Sequence, residues 1–275
     1  MTISQKSRTD YLDQPEGRLA YDVAGDGPLV VCLPGMGDVR TVYNRLAADL
    51  VSAGYRVATM DLRGHGGSDT TFSRYDDVAA GSDLLALIAH LDEASAILVG
   101  NSMGAGAAAW AAAESPSAVD GLVLIGPFVR DVPTSVFARL AFRLLLHKPW
   151  GPTAFGNYVP KFYPGRRDSD FVEHLGEIKE NLRQPGHWKA FVATTRTSHA
   201  PVEARLEEVR APALVVMGEA DPDFADPVGE ARLIAGRVGA EVVLVPGAGH
   251  YPQAEFPEVV GEAIVEFLDR LPEGA

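Results

Sequence analysis

Gly100-Asn101-Ser102-Met103-Gly104 sets a serine hydroxyl between two glycines, after the apolar run AILV and before the alanine-rich AGAAAWAAAE. Strand, tight bend and helix in that order hold a serine at the crest of the turn, where its oxygen is free to act as a nucleophile. Bulk at Gly100 or Gly104 would collide with the neighbouring strand and helix, and glycine also accepts unusual backbone angles. A helix opening near Met103 aims its unpaired N–H groups and positive dipole end at the place where a tetrahedral oxyanion would develop. The serine needs a base, and His250 stands in PGAGHYPQAEFPE, after the last apolar run and before the C-terminal helical pattern. The histidine in turn needs a carboxylate to fix its tautomer, and Asp221 follows the run ALVVM in MGEADPDF. These residue types in this order suit nucleophilic acyl transfer, with His250 expected to titrate at about pH 6 to 7.

The elements that must position them are legible as periodic runs. LVVCL before PGMGD, YRVATMDL before RGHGGS, AILVG before NSMG, GLVLIG before PF, ALVVMG before EAD and EVVLV before PGAGH read as buried parallel strands. Helical patterns fall between them over roughly residues 40–53, 76–92, 103–114, 227–237 and 257–270. The alternation predicts an α/β fold, a mostly parallel twisted sheet with helices on both faces. GRLAYDVAG, near residues 17–25, is expected to form an antiparallel hairpin with the first long strand. Between about 130 and 210 the alternation stops, and the spacing in SVFARLAFRLLLH and DFVEHLGEIKENL predicts a helical subdomain packed on the sheet. The expected division is a core of residues 1–130 and 206–275 with the helical subdomain at 131–205.

Taken together these residues resemble the α/β-hydrolase family, with its G-x-S-x-G elbow and its chain order of serine, acid and histidine. DLRGHGGSD at 61–69 is similar to a D-x-R-G-x-G-x-S stretch that many members carry, and the insertion after GLVLIGP matches their helical cap. The resemblance implies a nucleophile at Ser102, an acid at Asp221 and a base at His250. It also implies an oxyanion hole from the backbone N–H groups of Met103 and Met36, the latter in LPGMGDVR, where Pro34 replaces the family's usual histidine before Gly35. Gly35, Phe128, Trp150, Trp188 and Tyr251 are the expected substrate-facing residues. Some members place the acid earlier in the chain, which makes Asp131 the competitor of Asp221. Asp223 and Asp226 read as solvated or helix-capping, and Asp61, Arg63 and His65 as structural.

With 24 Lys plus Arg against 37 Asp plus Glu, the net charge is −13, a field that repels nucleic acid and anionic lipid surfaces. No run approaches the roughly 20 apolar residues of a membrane span, and the N-terminus lacks a signal-peptide pattern, so the expectation is a cytoplasmic protein with no membrane partner. Cys32, the single cysteine, reads as a core residue. No histidine spacing or cysteine pair suggests a metal, and no cofactor is expected. Gly104-Ala105-Gly106-Ala107-Ala108-Ala109 fits a relaxed dinucleotide pattern but begins inside the helix, with no acid ending the next strand. The expected activity is hydrolysis of a small, apolar carboxylic ester or lactone through an acyl-enzyme. The competing readings are carbon–carbon bond hydrolysis of ring-cleavage diketone acids, suggested by LVGNSMG although Tyr251 replaces their usual tryptophan, a perhydrolase side activity, and a ligand receptor on a hydrolase scaffold. No oligomeric state follows from the sequence.

Overall fold

LVVCL, AILVGN and ALVVMG are buried at every position, as strands covered on both faces must be. The computed structural model describes residues 9–132, 136–168 and 170–272. Its strands are β1 (Asp10–Gln14), β2 (Gly17–Ala24), β3 (Leu29–Leu33), β4 (Arg56–Met60), β5 (Ala96–Asn101), β6 (Val119–Ile125), β7 (Ala213–Gly218) and β8 (Glu241–Val245). Among the described residues they form one sheet in the order β1-β2-β4-β3-β5-β6-β7-β8. From β4 to β8 every pairing is parallel, whereas β2 runs antiparallel to both β1 and β4.

That order corrects the expected hairpin. β2 pairs with β1 and β4 and not with β3, because β4 returns parallel to β3 and takes the place beside it. The actual hairpin partner, DYLDQ, has only Leu12 buried, so its polar edge-strand sequence gave no apolar run to read.

Helices α1 (Asn44–Ser52), α2 (Asp77–His90) and α3 (Met103–Glu114) connect the first strands. Between β6 and β7 come α4 (Val136–Leu145), α5 (Gly151–Tyr158), α6 (Phe171–Asn181), α7 (His187–Thr194) and α8 (Ala200–Glu203), so the helical insertion lies where the strand pattern lapsed. The chain closes with α9 (Pro227–Val238), α10 (Pro252–Glu255) and α11 (Pro257–Leu268). Asp76 and Asp226 accept from Ala79 N and Gly229 N, capping α2 and α9 and placing Asp226 as a structural residue.

One core face gathers α2, α3 and α9, with Leu84, Leu87, Ala107, Ala111 and Ile234 fully enclosed. The other gathers α1 and α11 with the insertion's Phe155, Trp188 and Phe191. Cys32 lies inside this second face, and burial pushes its thiol well above the ordinary range, so it remains a protonated core residue. Among the described residues no helix is long and apolar enough to cross a membrane.

Candidate active site

The carboxyl end of β5 delivers Ser102 at φ 56°, ψ −121°, a conformation that non-glycine residues avoid and that costs about 1–3 kcal/mol. Neighbouring strands hold it there. Ser102 N donates to Ile125 O at 2.9 Å, and Asn101 Nδ2 donates to Ile125 O at 3.1 Å and to His250 O at 3.0 Å, tying the elbow to the end of β6 and to the histidine loop. A Cβ on Gly104 would land on the Leu33 carbonyl oxygen, so α3 starts against the end of β3 at a distance only glycine permits. Likewise a Cβ on Gly35 would stand 2.7 Å from Ser102 Cβ and 3.2 Å from its Oγ, which places the 34–37 loop directly beside the hydroxyl. Among the described residues no protein acceptor takes the backbone N–H of Met36 or Met103.

His65 supports that loop. Gly37 N donates to His65 Nε2 at 3.0 Å while Nδ1 donates to Arg63 O at 2.9 Å. Burial pushes its pKa down to about 4, so the ring is neutral and Nε2 is an acceptor at ordinary pH. Asp61 receives Arg40 and the N–H groups of Arg40 and Gly67, and Arg63 forks onto Asp83, so the 61–69 stretch turns and braces the chain as expected.

The loop after β8 presents His250, whose Nδ1 faces Asp221 Oδ2 at 2.7 Å with both groups buried. Nδ1–H therefore donates to Asp221 and leaves Nε2 as the accepting nitrogen. Asp221 Oδ1 accepts from Asp223 N at 3.0 Å, and Asp223 Oδ2 lies 3.7 Å from His250 Nδ1. Burial alone would lower the imidazole, but the charge and hydrogen bond of Asp221, with Asp223 and Asp38, outweigh it and raise the pKa to about 9. The expected value near 6 to 7 overlooked these extra carboxylates, and Asp223 is no solvated bystander. Asp131 instead accepts from Ser198 Oγ and His199 N, away from the imidazole. Asp221, Asp223 and His250 bring donor atoms within 4.8 Å of one another. At 2.7 Å Nδ1 and Oδ2 are at hydrogen-bond distance, which an Nδ1–H donor satisfies without a metal ion.

A buried carboxylate that sequence reasoning missed fixes the same loop. Glu255 Oε1 accepts from Gly249 N at 2.6 Å and Oε2 from Gly165 N at 2.7 Å, while His250 N donates to Phe162 O at 2.9 Å. The histidine loop is thus fastened to the insertion's 162–165 segment through backbone groups. Burial raises Glu255 to about 7 against three backbone hydrogen bonds that lower it.

Aromatic rings enclose the imidazole. Phe128 and Phe162 stand 5.8 Å from it and Tyr251 5.2 Å, with Tyr251 stacked on Tyr163 at 4.7 Å. Phe128 also packs on Phe224. Trp188 is buried against Phe191, in the core face that holds the insertion. Trp150 stands apart, half exposed, with its ring over His147 and its Nε1 donating to Leu144 O. Phe162 and Phe224 carried no sequence signal beyond being aromatic. Next to the 34–37 loop, buried Asp38 meets His174 of α6 at 2.8 Å, a second tie between core and insertion.

The Alpha/beta hydrolase family model matches residues 30–263, and the chain belongs to that family. It is 29% identical over 265 residues to a 2-(acetamidomethylene)succinate hydrolase of Mesorhizobium japonicum, covering 92% of this chain and 93% of that one. It is also 29% identical over 284 residues to a 2-hydroxy-6-oxononadienedioate/2-hydroxy-6-oxononatrienedioate hydrolase of Paraburkholderia xenovorans, covering 97% of each. Among solved structures, a thermophilic esterase from Thermogutta terrifontis superposes with a TM-score of 0.77 at 26% identity, over 96% of this chain and 99% of that one.

Proposed function

We propose that this α/β-hydrolase cleaves a neutral carboxylic ester or lactone through an acyl-enzyme on Ser102. The observation that carries the reading is the buried Asp221–His250 pair, at 2.7 Å with Asp223 Oδ2 3.7 Å from the same nitrogen, presented on the loop tied to the strained bend at Ser102. His250 Nε2 takes the proton of Ser102 as Oγ bonds to the acyl carbon, and the carbonyl electron pair moves onto oxygen. The N–H groups of Met36 and Met103 receive that oxyanion. Collapse breaks the acyl–oxygen bond, His250 returns the proton to the departing alcohol, and water repeats the sequence to release the acid. Gly35, Phe128, Trp188 and Tyr251, with the side chains of Met36 and Met103, form the substrate side, and residues 131–205 act as its cap. Trp150, half exposed on the outside of the insertion, is left out of that set.

Carbon–carbon bond hydrolysis is the second reading, and the Paraburkholderia relative favours it. A diketone acid would have to bring its own carboxylate toward Asp223, at a cost that a neutral ester avoids, Asp38 being already paired with His174. A panel of p-nitrophenyl esters and lactones run beside a ring-cleavage dienoic acid decides between them. Higher kcat/KM for a neutral ester or lactone is expected, and preference for the dienoic acid would overturn the assignment.

A further inference from the structure

Among the described residues, the insertion carries an apolar face on which nothing is packed. On α4, Val136, Phe137, Leu140 and Leu144 are 68%, 85%, 54% and 56% exposed, and the spacing 137, 140, 144 puts three of them on one stripe. Trp150 extends the patch past the end of the helix, again half exposed. Contiguous exposed apolar side chains of this size on a folded domain mark an interaction surface.

The charge of the surrounding chain identifies the partner. Residues 132–167 contain no Asp or Glu, although at the chain's average of 37 in 275 residues such a stretch would carry about five. The same stretch holds six cations, Arg139, Arg143, Lys148, Lys161, Arg166 and Arg167. Arg143 and Lys148 are exposed beside the stripe, and among the described residues neither is paired with a carboxylate. The net charge of −13 therefore hides a reversal of sign along the stretch of chain that bears the apolar face, although Arg166 at its far end is answered by Asp168 and Glu258.

We propose that α4 and the turn through Trp150 form an interfacial docking face for an anionic lipid surface. Phe137, Leu140 and Leu144 enter the boundary between headgroups and acyl chains, and Trp150 sits at headgroup depth, while Arg143 and Lys148 meet lipid phosphates. Acidic residues elsewhere on the molecule that stand more than a Debye length, about 8 Å at physiological salt, from the docked face are screened from the lipid. A second copy of this chain fits the face less well. An isologous contact would set Arg143 and Lys148 of both copies against one another with no acids in the segment to answer them. The expectation of no membrane partner followed from total charge, whereas attraction within a Debye length depends on the charge that faces the surface.

The test is flotation of the full chain with phosphatidylglycerol/phosphatidylcholine vesicles and with pure phosphatidylcholine vesicles, at about 0.1 and 0.5 M salt. Binding to the anionic vesicles that weakens with salt is expected. Phe137→Ser/Leu140→Ser and, separately, Arg143→Glu/Lys148→Glu should each weaken it by more than about tenfold while Tm and hydrolysis of a soluble ester stay unchanged. Absence of vesicle binding would overturn the proposal, as would equal binding to pure phosphatidylcholine or binding that survives both double variants. So would a concentration-dependent dimer in sedimentation that Phe137→Ser/Leu140→Ser abolishes, since a second copy would then cover the face.

Discussion

The His250 pKa is raised above that of a free imidazole because the charges of Asp221, Asp223 and Asp38 outweigh the lowering by burial. In the proposed mechanism the neutral imidazole is the base, so raising the pH populates it and kcat/KM should climb through an apparent pKa above 6.5, toward about 9. Asp223→Asn removes one of the carboxylates and should move the inflection to lower pH with little change in the plateau. Asp221→Asn should instead lower the plateau by roughly 10⁴, since the ring then favours the wrong tautomer. A wild-type inflection at or below 6.5, or one that Asp223→Asn leaves in place, would contradict this electrostatic picture. The strained bend at Ser102 and the pairing of Asp221 with His250 were legible because each residue is announced by its immediate neighbours in the chain. Asp223 and Asp38 were not, because their effect on the imidazole acts through space and depends on how loops fold together.

At the scale of elements, the loop after β8 is held by a neighbour five residues on. Glu255 spends one carboxylate oxygen on Gly249 and the other on Gly165, so a single side chain sets the histidine loop against the insertion. Glutamine offers one acceptor oxygen and would set an NH₂ against the second N–H. Glu255→Gln should therefore lower kcat by about ten- to hundredfold through a misplaced imidazole, with KM changed much less. A pH signature accompanies it. The folded-state pKa of about 7 lies above the ordinary 4.5, so the stability this group contributes is complete below about pH 4.5 and is lost as pH rises through 7. Glu255→Gln should abolish that part of the pH dependence of Tm, and an unchanged kcat with an unchanged Tm profile would exclude the positioning role. The strands and α1 to α3 were legible from apolar period alone. β1 was not, because an exposed edge strand need bury only Leu12, and the place of β2 was misread because pairing order is set by the crossover through β4.

At the scale of the whole molecule, the buried site and the exposed apolar face of α4 lie on different elements. The parallel sheet and its two cores hold the Ser102 bend, the 34–37 loop and the Asp221–His250 pair, and the insertion between β6 and β7 is tied to these loops through Asp38–His174 and the 162–165 segment. The sequence revealed where the insertion lies, since strand periodicity lapses there. It did not reveal which of its aromatics turn inward. Trp188 and Trp150 look alike as residue types, yet one is buried on Phe191 and the other is half exposed, a difference fixed by helix packing within the insertion. Total charge was equally incomplete as a guide, because 36 successive residues of this acidic chain carry only positive charge.

The most direct measurement is covalent labelling with a fluorophosphonate, which phosphonylates only a serine activated by its base, followed by mass localisation of the label in wild type and in Ser102→Ala. The expected result is a single adduct on the peptide containing Ser102, absent from Ser102→Ala, with ester turnover lower by on the order of a millionfold in the variant. Undiminished labelling or turnover in Ser102→Ala would contradict the assignment of Ser102 as the nucleophile.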